Sequence, residues 1–154
     1  MCSCTGEYVY WTCIQKKMMK IVTVLIPCFN EEASLPHLYR ALNQITAQCP
    51  DYTWEFLFVN DGSRDRPLQL IREDRNQDKR VCYVDLSRNF GKEAAMLAGF
   101  DYATGDCMII IDADLQHPPT LIPEMLAWWG RGMTMCMQND ELVAKRAGCV
   151  NGYL

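Results

Sequence analysis

MIIIDADLQHPP, running from Met108 to Pro119, sets an apolar run directly before two acids spaced two residues apart, Asp112 and Asp114. On a strand, residues i and i+2 lie on one face. If strand geometry persists to the end of the run, both carboxylates aim at one point. Carboxylates converging in this way suit a hard divalent cation, which can in turn hold a diphosphate. A lone D-x-D is common and by itself reads as a solvated turn after a buried strand. Its place after an apolar run, with Leu115-Gln116-His117-Pro118-Pro119 behind it, makes the signal more specific. Gln116 is a candidate further contact to metal or substrate, while His117 is expected to order the loop rather than to ligate.

Outward from this segment, strand-like and helix-like stretches alternate. Ile21 to Ile26 is a short β-branched run closed by Pro27, and Glu31 to Gln48 carries Leu35, Leu38, Leu42 and Ile45 at helical spacing, with Asn30 as a candidate cap. A second strand over Glu55 to Val59 meets the turn-former Asp61-Gly62. A second helix covers Arg66 to Gln77, with Leu68 and Ile71 facing inward. Val81 to Leu86, Lys92 to Tyr102, Cys107 to Ile111 and Thr120 to Trp129 continue the alternation. Strands alternating with helices predict an α/β fold, a mainly parallel sheet with helices on both faces. Ligands of such sheets sit beyond the carboxyl ends of the strands. Those ends fall at Asn30, Asp61, Arg88 and Asp112, so the polar residues gather on one rim.

Three more loops reach that rim. In Val59-Asn60-Asp61-Gly62-Ser63, Asp61 can accept hydrogen bonds from ribose hydroxyls or a base N–H, although Gly62 would serve as a turn regardless. In Ser87-Arg88-Asn89-Phe90-Gly91-Lys92-Glu93, Gly91 permits close backbone approach and Lys92 stands at a helix start. Helix N-termini and cations both favour phosphate oxygens, so Arg88 or Lys92 is expected at a diphosphate. Pro27-Cys28-Phe29-Asn30-Glu31-Glu32 offers a turn against the base, with Pro27, Asn30 and Glu31 as candidate contacts. Cys28 needs no chemical role.

Composition narrows the class. The chain of 154 residues is 49% hydrophobic and 22% charged, with a formal net charge of -4. That fits a globular domain and gives no electrostatic reason to expect nucleic-acid binding. The nine cysteines are odd in number, none is spaced as in a zinc finger or ribbon, and several lie inside apolar runs. Reduced thiols in the cytoplasm are expected. Residues 1–17 lack the apolar core of a secretory signal, and nothing approaches the roughly 20 apolar residues of a membrane span. A cytoplasmic protein is predicted, at most peripheral at the inner face of the cytoplasmic membrane.

Taken together, VLIPCFNEE, LFVNDGSRD, LSRNFGKEAAMLAGFDYATGD and IIIDADLQHPP resemble the family-2 glycosyltransferases of GT-A fold, in order, over about residues 19 to 129. The RNFGKE and DADLQ-P strings look most like the polyprenyl-phosphate sugar transferases, the bactoprenol glucosyltransferases and their dolichyl-phosphate mannose synthase relatives. The resemblance implies transfer of a sugar from a UDP- or GDP-sugar to a membrane polyprenyl phosphate, with inversion. It implies Mg²⁺ or Mn²⁺ at Asp112 and Asp114, the pair that would carry catalysis, with Gln116 beside them. It further implies Asp61 at the nucleoside and Arg88 or Lys92 at the diphosphate.

Family members continue past this point with a basic acceptor-side segment and often C-terminal membrane helices, neither of which is recognisable here. The expected organisation is a non-family extension over 1–17, a nucleotide-sugar-binding half over 18–129, incomplete at its C-terminus, and a divergent tail over 130–154. Read one base earlier, codons for Gly132 to Asp140 permit YDDVYAKR, which resembles the segment after the fourth helix in relatives. A frameshift near Gly130 is therefore expected, and codons that forbid the shifted reading would exclude it. The alternative function is a non-catalytic nucleotide-sugar-binding remnant. An aspartyl phosphatase is disfavoured by the late position of the Asp pair. A dinucleotide oxidoreductase is disfavoured because no G-x-G-x-x-G follows the first strand.

Overall fold

The structure is a computed structural model and describes residues 19–116, 118–138 and 141–146. The readings made for residues 1–17, for His117 and for the end of the tail lie outside the described residues. Four parallel strands form the central sheet: β1 (Lys20–Cys28), β2 (Tyr52–Asn60), β3 (Val81–Asp85) and β4 (Cys107–Ile110), in the order β3-β2-β1-β4. Between and after them run α1 (Leu35–Gln48), α2 (Pro67–Gln77), α3 (Lys92–Tyr102), a 3-10 turn at Pro119–Leu121 and α4 (Ile122–Trp129). This is the expected α/β architecture.

Both faces of the sheet are covered, as the near-continuous apolar reading of its strands requires. Val22, Val24, Ile26 and Cys28 of β1, with Phe56 and Phe58 of β2, pack against Leu35, Leu38 and Leu42 of α1, Ile71 of α2, and Ile122 and Leu126 of α4. On the opposite face Leu25, Leu57 and Val59 meet Ala95 of α3. Gly99 makes the α3 contact close, because a Cβ built there lies 2.2 Å from Leu25 Cδ1.

Several boundaries differ from the sequence reading. Pro27 does not end β1 but pairs with Val59 inside it. Pairing of β1 with β4 stops at Leu25–Ile110, so on that side no ladder requires the N–H that proline lacks. The first helix begins at Leu35, four residues after the predicted start, and Asn30 does not cap it. Asn30 adopts φ +58°, a region tolerated by asparagine, and its side-chain oxygen accepts the Arg64 N–H at 2.9 Å. The helix entry is organised by Glu31 instead, whose carbonyl accepts the Leu35 N–H and whose carboxylate accepts the Ser34 hydroxyl. After Trp129, where no element was expected, β5 (Met133–Gln138) and β6 (Glu141–Arg146) form a separate antiparallel pair. Met133, Met135 and Met137 alternate with Thr134, Cys136 and Gln138, a period-two signal masked by the weak strand preference of methionine.

At the amino end of the sheet, Arg80 bonds Asp78, Asn43 and the Thr46 hydroxyl, and Tyr39 donates to Asp78 at 2.8 Å, so α1 is tied to the α2–β3 loop. Partial burial would raise the Asp78 carboxyl, but bonding from Arg80 overcomes it and holds the group down at about 2. This end is structural, and the carboxyl end of the sheet is left for the site.

Candidate active site

Beyond the carboxyl ends of β1, β2 and β4 lies a cleft of about 290 Å³. Pro27, Glu31, Asp61, Lys92, Asp112, Asp114 and Gln116 all line it, so most of the sequence-predicted site residues are brought together. Asn30 and Arg88 are not among its walls. Asn30 serves the neighbouring loop, its N–H donating to Ser63 Oγ at 3.0 Å. Arg88 is exposed, with its guanidinium over the Phe90 ring, 4.8 Å from the centroid.

Both acids line the cleft, but not by the predicted strand geometry. β4 ends at Ile110, two residues before Asp112, so strand alternation does not reach the pair. A turn carries them instead: the Leu115 N–H faces the Asp112 carbonyl at 3.5 Å, and Leu115 takes φ +64°. Asp114 Oδ1 accepts the Gln116 N–H at 3.0 Å, which orders the loop from within. Buried Ala113 turns into the core between the two carboxylates.

Asp61 is 3% exposed. Its Oδ1 accepts the Phe90 N–H at 2.8 Å and its Oδ2 accepts the Gly91 N–H at 2.9 Å, so the β2 loop clasps the β3–α3 loop. Gly62 makes the clasp possible, because a Cβ there would lie 2.2 Å from the Arg88 carbonyl carbon, and its φ is +60°. Gly91, at φ +98°, then directs the chain into α3 with Lys92 as first residue. The Lys92 ammonium lies 2.7 Å from Asp112 Oδ1 and 2.8 Å from Oδ2.

Some residues at this rim were not singled out from the sequence. Asn89 and Ala95 line the cleft, and Asn60 donates to Asp85 Oδ1 at 2.8 Å beneath the loop. Asn60 stands beside Asp61 in the quoted motif, but its partner Asp85 sits across the β2–β3 ladder and no local spacing reveals it. Asp65 accepts the Glu32 N–H at 2.9 Å and so joins two rim loops. Cys28 lines the cleft as a core thiol: burial, with Glu31 and Asp65 adding to it, pushes the thiol far above its usual range and keeps it protonated. Cys28, Cys49, Cys82 and Cys107 are free thiols in the structure.

The donor set fits a hard divalent cation. Asp112, Asp114 and Gln116 offer oxygen donors in one cleft, and a cationic ammonium already sits on Asp112. Among the described residues no cluster of three or more His, Cys, Asp or Glu residues could hold a metal. An all-protein cage is therefore not formed there. One or two carboxylates completed by substrate phosphates and water is the arrangement Mg²⁺ commonly takes.

The glycosyl transferase family 2 profile matches residues 23–141. The chain belongs to glycosyl transferase family 2. Among relatives, an uncharacterised glycosyltransferase, YkcC of Bacillus subtilis, is 44% identical over 110 residues, covering 71% of this chain and 34% of the relative. A prophage bactoprenol glucosyl transferase homolog of Escherichia coli is 38% identical over 126 residues, covering 82% and 39%. The chain thus spans about a third of the length of the curated family-2 relatives it matches. A mannosyltransferase of Pyrobaculum calidifontis, solved with GDP-Man and Mn²⁺, superimposes with a TM-score of 0.60 at 24% identity, covering 80% of this chain and 37% of that one. That likeness establishes the GT-A fold of the family-2 domain. No helix among the described residues is long and apolar enough to cross a membrane.

Proposed function

We propose that this chain is the donor-binding half of a glycosyltransferase that moves a sugar from a UDP- or GDP-sugar to a polyprenyl phosphate, with inversion at the anomeric carbon. The observation that carries this reading is the gathering of Asp112, Asp114, Gln116 and Lys92 in one cleft at the carboxyl rim of a parallel sheet. The relative named for bactoprenol supports the acceptor, and the neighbour solved with GDP-Man and Mn²⁺ supports a nucleotide-sugar donor.

The residues would divide the work as follows. A Mg²⁺ or Mn²⁺ ion at Asp112, Asp114 and Gln116 would supply charge neutralisation for the departing diphosphate. Lys92, at the first turn of α3, binds diphosphate oxygens together with the helix N-terminus. Asp61 holds the Phe90–Gly91 backbone in place and keeps one lone pair per oxygen for a nucleoside hydroxyl. Pro27 and Glu31 form the wall next to the base. A phosphate acceptor with a second pKa of about 6 arrives largely ionised, so positioning rather than a general base is what the protein must provide.

Titration of UDP-glucose and GDP-mannose in manganese buffer tests the reading. Asp112→Asn with Asp114→Asn is expected to weaken the preferred donor at least about tenfold, a loss of charge-assisted contacts. Unchanged affinity would overturn it. The alternative, a chain that binds the donor without transferring sugar, would use the same cleft residues. Radiolabelled sugar entering a polyprenyl-phosphate fraction would exclude it.

A further inference from the structure

We propose that Lys92 is a built-in counter-cation that occupies the Asp112 carboxylate when no nucleotide is bound, and leaves it for the diphosphate when one arrives. The inference rests on the donor-site reading above and adds a binding order to it.

The geometry is two-pronged. The ammonium reaches both oxygens of Asp112, at 2.7 and 2.8 Å, rather than grazing one. A divalent cation held by that carboxylate would bind the same oxygens that the ammonium's donors now occupy. Two cations that close repel strongly in a partly buried cleft. Lys92 and the cation therefore compete for Asp112.

The surroundings let the lysine move while its backbone stays fixed. Asp61 pins the N–H groups of Phe90 and Gly91, and Gly62 packs against the Arg88 backbone. The side chain beyond is about half exposed, at 53%, against 21% for Asp112. A lysine is a point charge on a flexible four-carbon stem, so it can change partner by rotation of its own bonds. The other acids on the cleft wall are engaged locally: Asp61 with the loop, Glu31 with Ser34, and Asp114 with the Gln116 N–H. A diphosphate entering the cleft offers Lys92 a stronger anionic partner and releases Asp112 to the cation that accompanies the nucleotide.

The test measures Mn²⁺ binding to the 154-residue chain from the electron paramagnetic resonance signal of free Mn²⁺, with and without UDP and GDP. Wild type, Lys92→Met, Lys92→Arg and Asp112→Asn are compared, each checked by circular dichroism. Without nucleotide, Lys92→Met should bind Mn²⁺ about fivefold tighter than wild type, the scale of losing a partly exposed ion-pair competitor. Lys92→Arg, which keeps the charge, should stay near wild type. With nucleotide the gain in Mn²⁺ affinity should be large in wild type and much smaller in Lys92→Met. If Asp112→Asn loses Mn²⁺ but Lys92→Met gains none without nucleotide, the Lys92 inference falls and the donor-site reading stands. If Asp112→Asn binds Mn²⁺ as tightly as wild type in the presence of nucleotide, both fall.

Discussion

Asp61 holds the site together through its two oxygens, one for each of two consecutive backbone N–H groups. The sequence places an acid at a strand end and makes it a nucleoside contact by type. The fold adds a second duty, because the β3–α3 loop reaches back over it. Asp61→Asn would set an amide N–H₂ against one of those two donors. A buried donor left unpaired costs about 1–3 kcal/mol. Urea denaturation should show that loss. Hydrogen exchange at residues 88–91 should accelerate, and UDP affinity in manganese should fall with it. An Asp61→Asn protein with wild-type exchange in that loop would mean that the clasp does not hold it. The same residue-level reading assigned Cys28 no chemistry, and its side chain is buried in the core, 1% exposed. It missed Asn30, whose side chain serves Arg64 across the rim instead of capping α1.

At the scale of elements, α3 is the helix that packs on the Leu25–Leu57–Val59 face, and it does so through Ala95 and Gly99. From sequence the segment reads only as a helix rich in Ala, Met and Leu. Ala95 and Gly99 are what let it sit close against the sheet. Gly99→Ala would drive a Cβ to 2.2 Å from the fully buried Leu25 side chain. Overpacking of this kind costs about 1–3 kcal/mol, even against the better helix propensity of alanine. Leu25→Ala alone should cost about 2–5 kcal/mol by leaving a cavity. The double variant should be more stable than the sum of the two predicts, and a double-mutant cycle in urea measures that coupling. Strict additivity would show that the two do not touch in solution. Helix and strand cores were legible because their periods are strong. Boundaries were less so: the β1–β4 ladder decides that Pro27 can stay within a strand, and pairing across a sheet is not written in the five residues around a proline.

On the scale of the whole molecule, the α3 side of the sheet is thinly covered. Leu97 is 63% exposed, Phe100 47% and Ile110 42%, and β4 stands at the edge of the four-stranded sheet. Exposed apolar side chains on one side of a sheet offer binding area to hydrophobic probes. The native chain should therefore enhance anilinonaphthalene sulfonate fluorescence in plain buffer. Leu97→Gln with Phe100→Ser should reduce the signal by about half or more with little change in stability, since exposed substitutions usually fall within about ±0.5 kcal/mol. Equal fluorescence from wild type and variant would place the probe elsewhere.

By itself, the sequence determined the α/β class, the order of strands and helices through Trp129, and the family. It also named most of the residues that meet in the cleft. These depend on period, on residue type and on ordered motifs, all of which are local properties of the chain. Only the tertiary structure decided that Asp112 and Asp114 reach one cleft from a turn after Ile110 rather than from the strand itself. It alone seated Lys92 on Asp112 and the Phe90–Gly91 backbone on Asp61, since those partners lie 20 and about 30 residues apart and meet only when the sheet brings its strand ends to one rim.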